Sequence, residues 1–416
     1  IAGLEQNKSK TVLAYISADI HTRSSATSHA AYLVYTEALL SGAGRYNRAQ
    51  FLDAINLLGA SLGVSVSEGI FTVSIRSSAE AYKKVLSLLE LVFNDPKFDK
   101  AEIARIKLKL SNEIKESKED SKNIARKELR NSIYGLEDRR HEPSEDTLIK
   151  EISAITAKDL IKLHKQIVAS KWMCTQASKK SELELLDKAV KKCNKSKGEA
   201  EPLRLHQQKP PVLGLTLRDI PSRQNIDFSI GAPLPITKQH PDYAPLVLGL
   251  TVLGKWGGFT GRLMSTVREA EGLTYGIYAG TETFYREEQG YWRIMTFFSP
   301  DKAVQGLTST FREVKKIHEH GITKEELDKF KKILKTGQAL KNDSTASLLA
   351  ELHGYHQQNF SLKEMTEFKD RVFNVSLAEV NTALKTYLNP NNLTVSGAGP
   401  VARVKKDLQS FMKTVA

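Results

Sequence analysis

The sequence predicts an α+β chain built from two homologous domains, each an antiparallel sheet with helices packed on one face. Three observations predict this. Residues 195–211, KSKGEAEPLRLHQQKPP, are polar and proline-bearing without any hydrophobic period, so they read as a linker between halves at 1–194 and 212–416. Both halves run in the same order: an apolar strand, a helix, a glycine-punctuated segment, strands, a helix and a long charged helix. Asp99-x-x-Glu102 and Thr323-x-x-Glu326 each open the charged helix with a capping-box pattern, and the two stand 224 residues apart.

In the first half, apolar periodicity places a strand at Thr11–Ile20, a helix near Ser28–Leu40 and a second helix at Ala49–Leu58. Strands near Leu62–Val66 and Ile70–Arg76 follow, then a helix at Ala79–Phe93 and an amphipathic helix from about Asp99. The second half repeats this with a strand at Ile226–Gly231 and helices at Tyr243–Leu253 and Thr260–Arg268. Strands at Tyr275–Thr281 and Gly290–Phe298 precede helices at Asp301–His318 and from Thr323. Leu58-Gly59-Ala60-Ser61-Leu62-Gly63-Val64 also parallels Glu271-Gly272-Leu273-Thr274-Tyr275-Gly276-Ile277 at an offset of 213. A repeat this long is a duplicated domain and far outside solenoid periods.

Composition narrows the function classes. The 416 residues are 40% hydrophobic and 26% charged, the balance of a soluble globular chain, with no apolar run of membrane-spanning length. Two cysteines, Cys174 and Cys193, supply neither a disulfide framework nor a four-thiolate zinc site, and are read as packing residues. A net charge of +13 raises the local concentration of anionic partners and biases the chain toward acidic peptides. Nucleic acid is not the expected partner, because basic residues such as Lys107 and Lys109 interleave with Glu113, Glu116 and Glu119. There is also no arginine-rich tract or aromatic stacking motif. The chain opens on Ile1 rather than Met, as it would after removal of a leader. The compartment stays open, with a bacterial periplasm preferred to the cytoplasm.

The chemistry-bearing stretch is Leu253–Ala279, LGKWGGFTGRLMSTVREAEGLTYGIYA. A helix carrying Arg268 ends at Gly272 and turns into a strand carrying Tyr275, so the two side chains sit seven residues apart across a corner. A guanidinium offers a rigid fork of donors to peptide carbonyls, and a phenol can donate to an oxygen that becomes negative in a transition state. The plainer reading is an exposed helix arginine and a half-buried strand tyrosine. At the 213-residue offset the first half has Ile55 and Leu62, so only the second copy carries polar groups here.

This stretch resembles the C-terminal domain of the pitrilysin/insulinase zinc metallopeptidases, near the mitochondrial-processing-peptidase branch. Members carry a glycine-containing loop and then an arginine followed by a Gly-Leu-x-Tyr run, here Arg268 and Gly272-Leu273-Thr274-Tyr275. His240-Pro241-Asp242-Tyr243 leading into an apolar helix fits the same template. The resemblance implies a metallopeptidase-like fold forming half of a clam-shell. It also implies that Arg268 binds the substrate backbone and that Tyr275 polarises the scissile carbonyl.

Active members place H-x-x-E-H on the first helix and a third ligand, a glutamate, on the long helix downstream. Counting back from Leu39-Leu40-Ser41-Gly42, the five positions here are Leu33, Val34, Tyr35, Thr36 and Glu37. Both histidines and the general base are missing. Glu113 stands near the third-ligand position as a remnant. The resemblance therefore implies a non-catalytic subunit of a heterodimeric zinc peptidase, with no metal in this chain and zinc in a homologous H-x-x-E-H partner. The pair would close around an unfolded peptide, and a homodimer could form when the chain is alone. The alternative is a structural core subunit, as in the respiratory bc1 complex.

Other histidines are weighed and set aside. His29 is too far from Glu37 for one helix face to present both to one ion. His353 and His356, at i and i+3, could geometrically bind zinc as a self-sufficient site, but no acid is aligned with them as a base. His318 and His320 flank Glu319 at a helix end, where imidazolium suits the C-terminal dipole. Gly257-Gly258 and Thr260-Gly261 lack the Lys-Ser/Thr of a phosphate loop and read as a tight turn.

Overall fold

The computed structural model describes residues 2–5, 10–20, 29–196, 208–255, 258–285 and 287–415. They pack as two compact units. The first takes Ile1–Glu116, Pro143–Arg204 and Lys341–Leu362; the second takes Ser117–Glu142, Leu205–Leu340 and Lys363–Ala416. These units differ from contiguous halves in two segments, each of which packs with the opposite half of the sequence. Most of the expected linker, residues 197–207, lies outside the described residues.

Each unit is built on a five-stranded sheet. In the first the order is Ala2–Glu5, Trp172–Ser178, Thr11–Asp19, Ile70–Ser78, Ser61–Ser67. In the second it is Gly214–Asp219, Thr394–Gly399, Ile226–Pro233, Tyr291–Phe298, Ile277–Glu282. Strand for strand the two orders are the same, which establishes the duplication at the level of topology. The sheets are antiparallel except at one edge. Ala2–Glu5 runs parallel to Trp172–Ser178, and Gly214–Asp219 runs parallel to Thr394–Gly399. Each unit's opening strand therefore pairs with the strand that closes its sheet, a long-range partner that local periodicity cannot reveal.

Alternation along the central strands builds two faces. In the first unit Val12, Ala14, Ile16 and Ala18 point into the main core. In the second, Phe228 and Ile230 do the same, in a core shared with the apolar helix Tyr243–Gly254. The opposite faces are covered as well, which departs from the expectation of helices on one face only. The helix Ser121–Ile133 packs on the strands Ile226–Pro233 and Thr394–Gly399 of the second unit. The helix Thr345–Gln357 packs on Trp172–Ser178 and Thr11–Asp19 of the first. Ser121 and Thr345 are 224 residues apart, the same spacing as the two capping motifs, so the exchanged helices are equivalent members of the duplication.

These second faces carry polar groups, and the incoming helix hydrogen-bonds several of them. His353, buried, has Nε2 2.7 Å from Ser17 Oγ and Nδ1 2.8 Å from Thr175 Oγ1, and its ring stacks on Tyr15. Gln357 Nε2 donates to Ser17 Oγ and Thr72 Oγ1. In the second unit Ser121 Oγ donates to Asp227 Oδ2 at 2.5 Å. Burial there raises the Asp227 carboxyl above its ordinary range.

Local boundaries follow sequence signals with small shifts. Thr323 and Glu326 form both arms of the expected capping box, while Asp99 accepts from the Ala101 and Glu102 amides. The helix expected at Thr260–Arg268 is instead a π-helix over Met264–Ala270, and the strand expected from Tyr275 begins at Ile277. Tyr275 thus stands on the turn ahead of the strand. Upstream of that corner Gly261 has φ of +119°, and a Cβ added to it would lie 2.9 Å from Gly254 Cα. A Cβ on Gly254 would in turn sit 3.1 Å from the Ala279 amide nitrogen. Only glycine permits these close backbone approaches.

Two outcomes are expected. Gly261→Ala should cost about 1–3 kcal/mol from backbone strain, read as a lowered urea midpoint. The second concerns pH. Burial, with a smaller effect from His356, holds the His353 imidazole down at about 4, whereas an unfolded histidine titrates near 6.5. Between those values the unfolded chain binds more protons, so stability contributed by neutral His353 is lost as pH falls from about 6.5 toward 4, by up to about 3 kcal/mol. His353→Gln should flatten the urea midpoint across this window; parallel curves for the two proteins would disprove the assignment.

Candidate functional site

The second unit builds a corner that brings Arg268 and Tyr275 together. After the helix Tyr243–Gly254, the glycine-dependent crossing at Gly261 turns the chain, and Arg262 anchors it. The Arg262 guanidinium donates twice to Glu326, at 2.7 Å each, and once to the Gly321 carbonyl at 2.9 Å. Met264 and Val267 then bury one side of the π-helix. At its end the Glu271 amide donates to the Thr266 carbonyl, a five-residue spacing, and Gly272 follows with φ of +61°. Short π segments recur at functional sites because the wider turn re-aims side chains.

The result is a clustered corner. Arg268 Cζ lies 5.2 Å from the centroid of the Tyr275 ring and 5.1 Å from that of Phe259. Tyr275 is 73% exposed and Phe259 63% exposed. The Arg268 side chain is 25% exposed, with Nη1 4.0 Å from Glu269 Oε1. Neighbouring contacts hold the turn. Lys302 Nζ donates to the Gly272 carbonyl at 3.1 Å, and Glu271 is paired with Arg312 on the helix Ala303–His320. Thr296 Oγ1 donates to the Gly276 carbonyl at 3.1 Å, and the Gly276 amide donates to Thr274 Oγ1 at 3.2 Å. The Arg312 guanidinium beside it, with Ser309, outweighs desolvation and lowers the Glu271 carboxyl. A shallow open depression of about 210 Å³ lies beside Tyr275, lined in part by Asn225, Thr274, Ser299 and Lys302. Arg268 and Tyr275 lie side by side, with the tyrosine presented from a turn rather than from within a strand. Their counterparts by offset have no such role: Ile55 is buried in the helix Arg48–Leu57, and Leu62 lies on the edge strand Ser61–Ser67.

In the first unit the five positions that would carry H-x-x-E-H fall on the helix His29–Leu39. Val34 and Tyr35 are buried, and the Tyr35 hydroxyl is 2.9 Å from His164 Nδ1. Leu33 has no ligating atom, and the Thr36 hydroxyl donates to the Leu33 carbonyl at 3.0 Å. Glu37 Oε1 accepts from Lys109 Nζ at 3.0 Å, and the same ammonium lies 3.8 Å from Glu113 Oε1. The helix Lys100–Ser117 therefore does bring Glu113 toward Glu37, but around a lysine. A hydrocarbon, a hydroxyl turned back on its own helix and two carboxylates drawn to one ammonium do not make a zinc ligand set. Among the described residues no group of three or more His, Cys, Asp or Glu is arranged to hold a metal.

The remaining candidates take structural places. Both ring nitrogens of His353 are engaged by hydroxyls, which leaves the pair with His356 without the lone pairs a metal needs. His318 and His320 occupy the last turn of the helix Ala303–His320, and His29 is the first residue of its helix. Gly257 lies outside the described residues. Cys174 and Cys193 are buried free thiols, pushed by burial up to about 12 and about 11. Sequence reasoning passed over Phe259, Lys109, Arg262 and Arg312. A second aromatic residue, three positions after Trp256 in a glycine-rich loop, was the available signal for Phe259. The other three depend on partners 41 to 72 residues away in the sequence.

Comparison with known proteins follows this division. The insulinase (peptidase family M16) profile matches residues 30–146, and the profile described as the peptidase M16 inactive domain matches residues 154–334. The non-peptidase homologue YmxG of Helicobacter pylori is 31% identical over 179 residues, 42% of this chain and 39% of that protein. The chloroplastic stromal processing peptidase of Pisum sativum is 28% identical over 165 residues, 40% of this chain and 13% of that protein. The chain thus matches well under half the length of these curated relatives. A peptidase M16 inactive domain from Pseudomonas fluorescens superposes with a TM-score of 0.83 at 23% identity, covering 96% of this chain and 95% of that one. A protease from Helicobacter pylori gives 0.81 at 15% identity, covering 95% and 96%. No described helix is long and apolar enough to cross a membrane. With both family profiles matched in order and the fold shared, the chain belongs to the insulinase family of peptidases, M16, and lacks its H-x-x-E-H motif.

Proposed function

We propose that this chain is a non-catalytic subunit that supplies a peptide-binding and oxyanion-stabilising half-site to a homologous zinc-bearing partner. The observation that carries the reading is the Arg268–Tyr275 corner in one unit, with its exposed tyrosine, set against the donor-poor Leu33, Thr36 and Glu37 positions in the other. In this reading the partner would hold zinc through H-x-x-E-H, and that site would supply the activated water. Arg268 donates its guanidinium fork to a carbonyl of an extended, unfolded peptide enclosed between the two chains. The Tyr275 phenol donates a hydrogen bond to the carbonyl oxygen as negative charge develops there, and needs no reorganisation because the turn already presents it. The similarity to a non-peptidase homologue supports a chain inactive by itself, and the similarity to a processing peptidase supports peptides as substrates. A scaffold subunit, the competing reading, has no use for an exposed Arg–Tyr pair.

The test mixes the purified chain with candidate H-x-x-E-H homologues and measures peptide hydrolysis before and after chelation. The mixture is expected to be active and chelator-sensitive, and the isolated chain inactive and without stoichiometric zinc. In the active pair, Tyr275→Phe should lower kcat by about 10²-fold, the cost of one oxyanion donor. Arg268→Ala should act mainly on KM, because it removes binding shared by ground and transition states. Undiminished activity of Tyr275→Phe would refute the reading. Co-purification with a cytochrome-containing membrane complex would favour the scaffold.

A further inference from the structure

Most of the Arg268 side chain is covered, and among the described residues no acid holds it closely. Its side chain is 25% exposed, yet its contact with Glu269 is long, at 4.0 Å. The cover includes two aromatic rings, Tyr275 at 5.2 Å and Phe259 at 5.1 Å from Cζ. Phe259 is no part of the core, being 63% exposed. The chain that follows it is anchored. Two residues later Gly261 crosses Gly254 at backbone contact distance, and three residues later Arg262 is pinned to Glu326 and the Gly321 carbonyl.

We propose that Phe259 is a positioning residue for Arg268, holding the guanidinium beside Tyr275 by cation–π attraction before any peptide arrives. This rests on reading Arg268 and Tyr275 as the peptide clamp. An aromatic face attracts the cation through its quadrupole and leaves the N–H donors at the guanidinium edge available. A carboxylate would fix the same side chain but occupy those donors, so a peptide carbonyl would have to displace it. Prior restraint also removes rotamer entropy that binding would otherwise have to overcome. The proposal accounts for a phenylalanine left exposed on a braced loop and for the loose contact between Arg268 and Glu269.

Two measurements test it. The first needs neither peptide nor partner: phenylglyoxal modification of Arg268 in the full chain, followed by mass spectrometry. Phe259→Ala and Phe259→Leu should both raise the rate about twofold to fivefold, the scale of an exposed cation–π contact, while Phe259→Tyr keeps the wild-type rate. Unchanged rates in the Ala and Leu variants overturn the proposal. A rise in Ala that Leu reverses also overturns it, because it reduces Phe259 to steric cover. The second uses the reconstituted pair, where Phe259→Ala should raise KM about twofold to fivefold with kcat nearly unchanged. An unaltered KM in an active pair again overturns the proposal. If no pair is active, the clamp reading falls, and the phenylglyoxal rates still decide whether Phe259 holds Arg268.

Discussion

Gly254, Gly261 and Ala279 meet backbone to backbone, and the geometry of the Arg268–Tyr275 corner descends from that contact. With a Cβ at Gly261 the loop would have to lift away from the end of the apolar helix, and Arg262 would lose its seat between Glu326 and Gly321. The π-helix starts two residues further on, so its phase, and with it the direction of Arg268, is set by that anchored start. The turn after Gly272 is secured from the far side by Lys302, Arg312 and Thr296. The corner is thus braced at both ends by partners distant in sequence, while the residues that would meet a ligand remain exposed. Such bracing is what lets an exposed side chain act with little reorganisation.

The duplication shows how little the backbone alone decides about chemistry. Both units share a strand order, a parallel edge and an exchanged helix, yet they differ at each chemically relevant position. One unit carries Arg268 and Tyr275 where the other has Ile55 and Leu62. The helix His29–Leu39 carries a carboxylate bound to Lys109 where a metallopeptidase would carry histidines. Fold identity and catalytic competence are separate properties, and here side chains divide them.

The exchanged helices add a second constraint. A sheet face lined by Ser17, Thr72 and Thr175, or by Asp227 and Ser229, cannot be buried under an apolar helix without leaving polar groups unsatisfied. The helices that cover these faces bring His353 and Gln357 in one case and Ser121 in the other. The second unit extends this principle to ion pairs. Arg140 is bound to Asp138, Arg139 to Glu288, and Arg293 to Glu282, all largely withdrawn from water. Removing one member of such a pair leaves a buried charge uncompensated, so these contacts penalise alternative packings more than they add net stability.

The sequence by itself determined the α+β class, the duplication, the order of most elements and the positions of Arg268 and Tyr275. Each of these is written in local signals: apolar period, capping residues, glycine placement and a short motif. The family resemblance, counted back from Leu39-Leu40-Ser41-Gly42, pointed to Leu33, Thr36 and Glu37 as the positions of the missing motif. Tertiary structure alone decided that Ser121–Ile133 and Thr345–Gln357 pack in opposite units, that each sheet has a parallel edge, and that Lys109 lies between Glu37 and Glu113. It likewise decided that Arg268 rests against Phe259. The physical reason is separation along the chain. Periodicity and capping act over a few residues, whereas strand partners, ion pairs and a cation over a ring depend on which distant segments the hydrophobic core brings together.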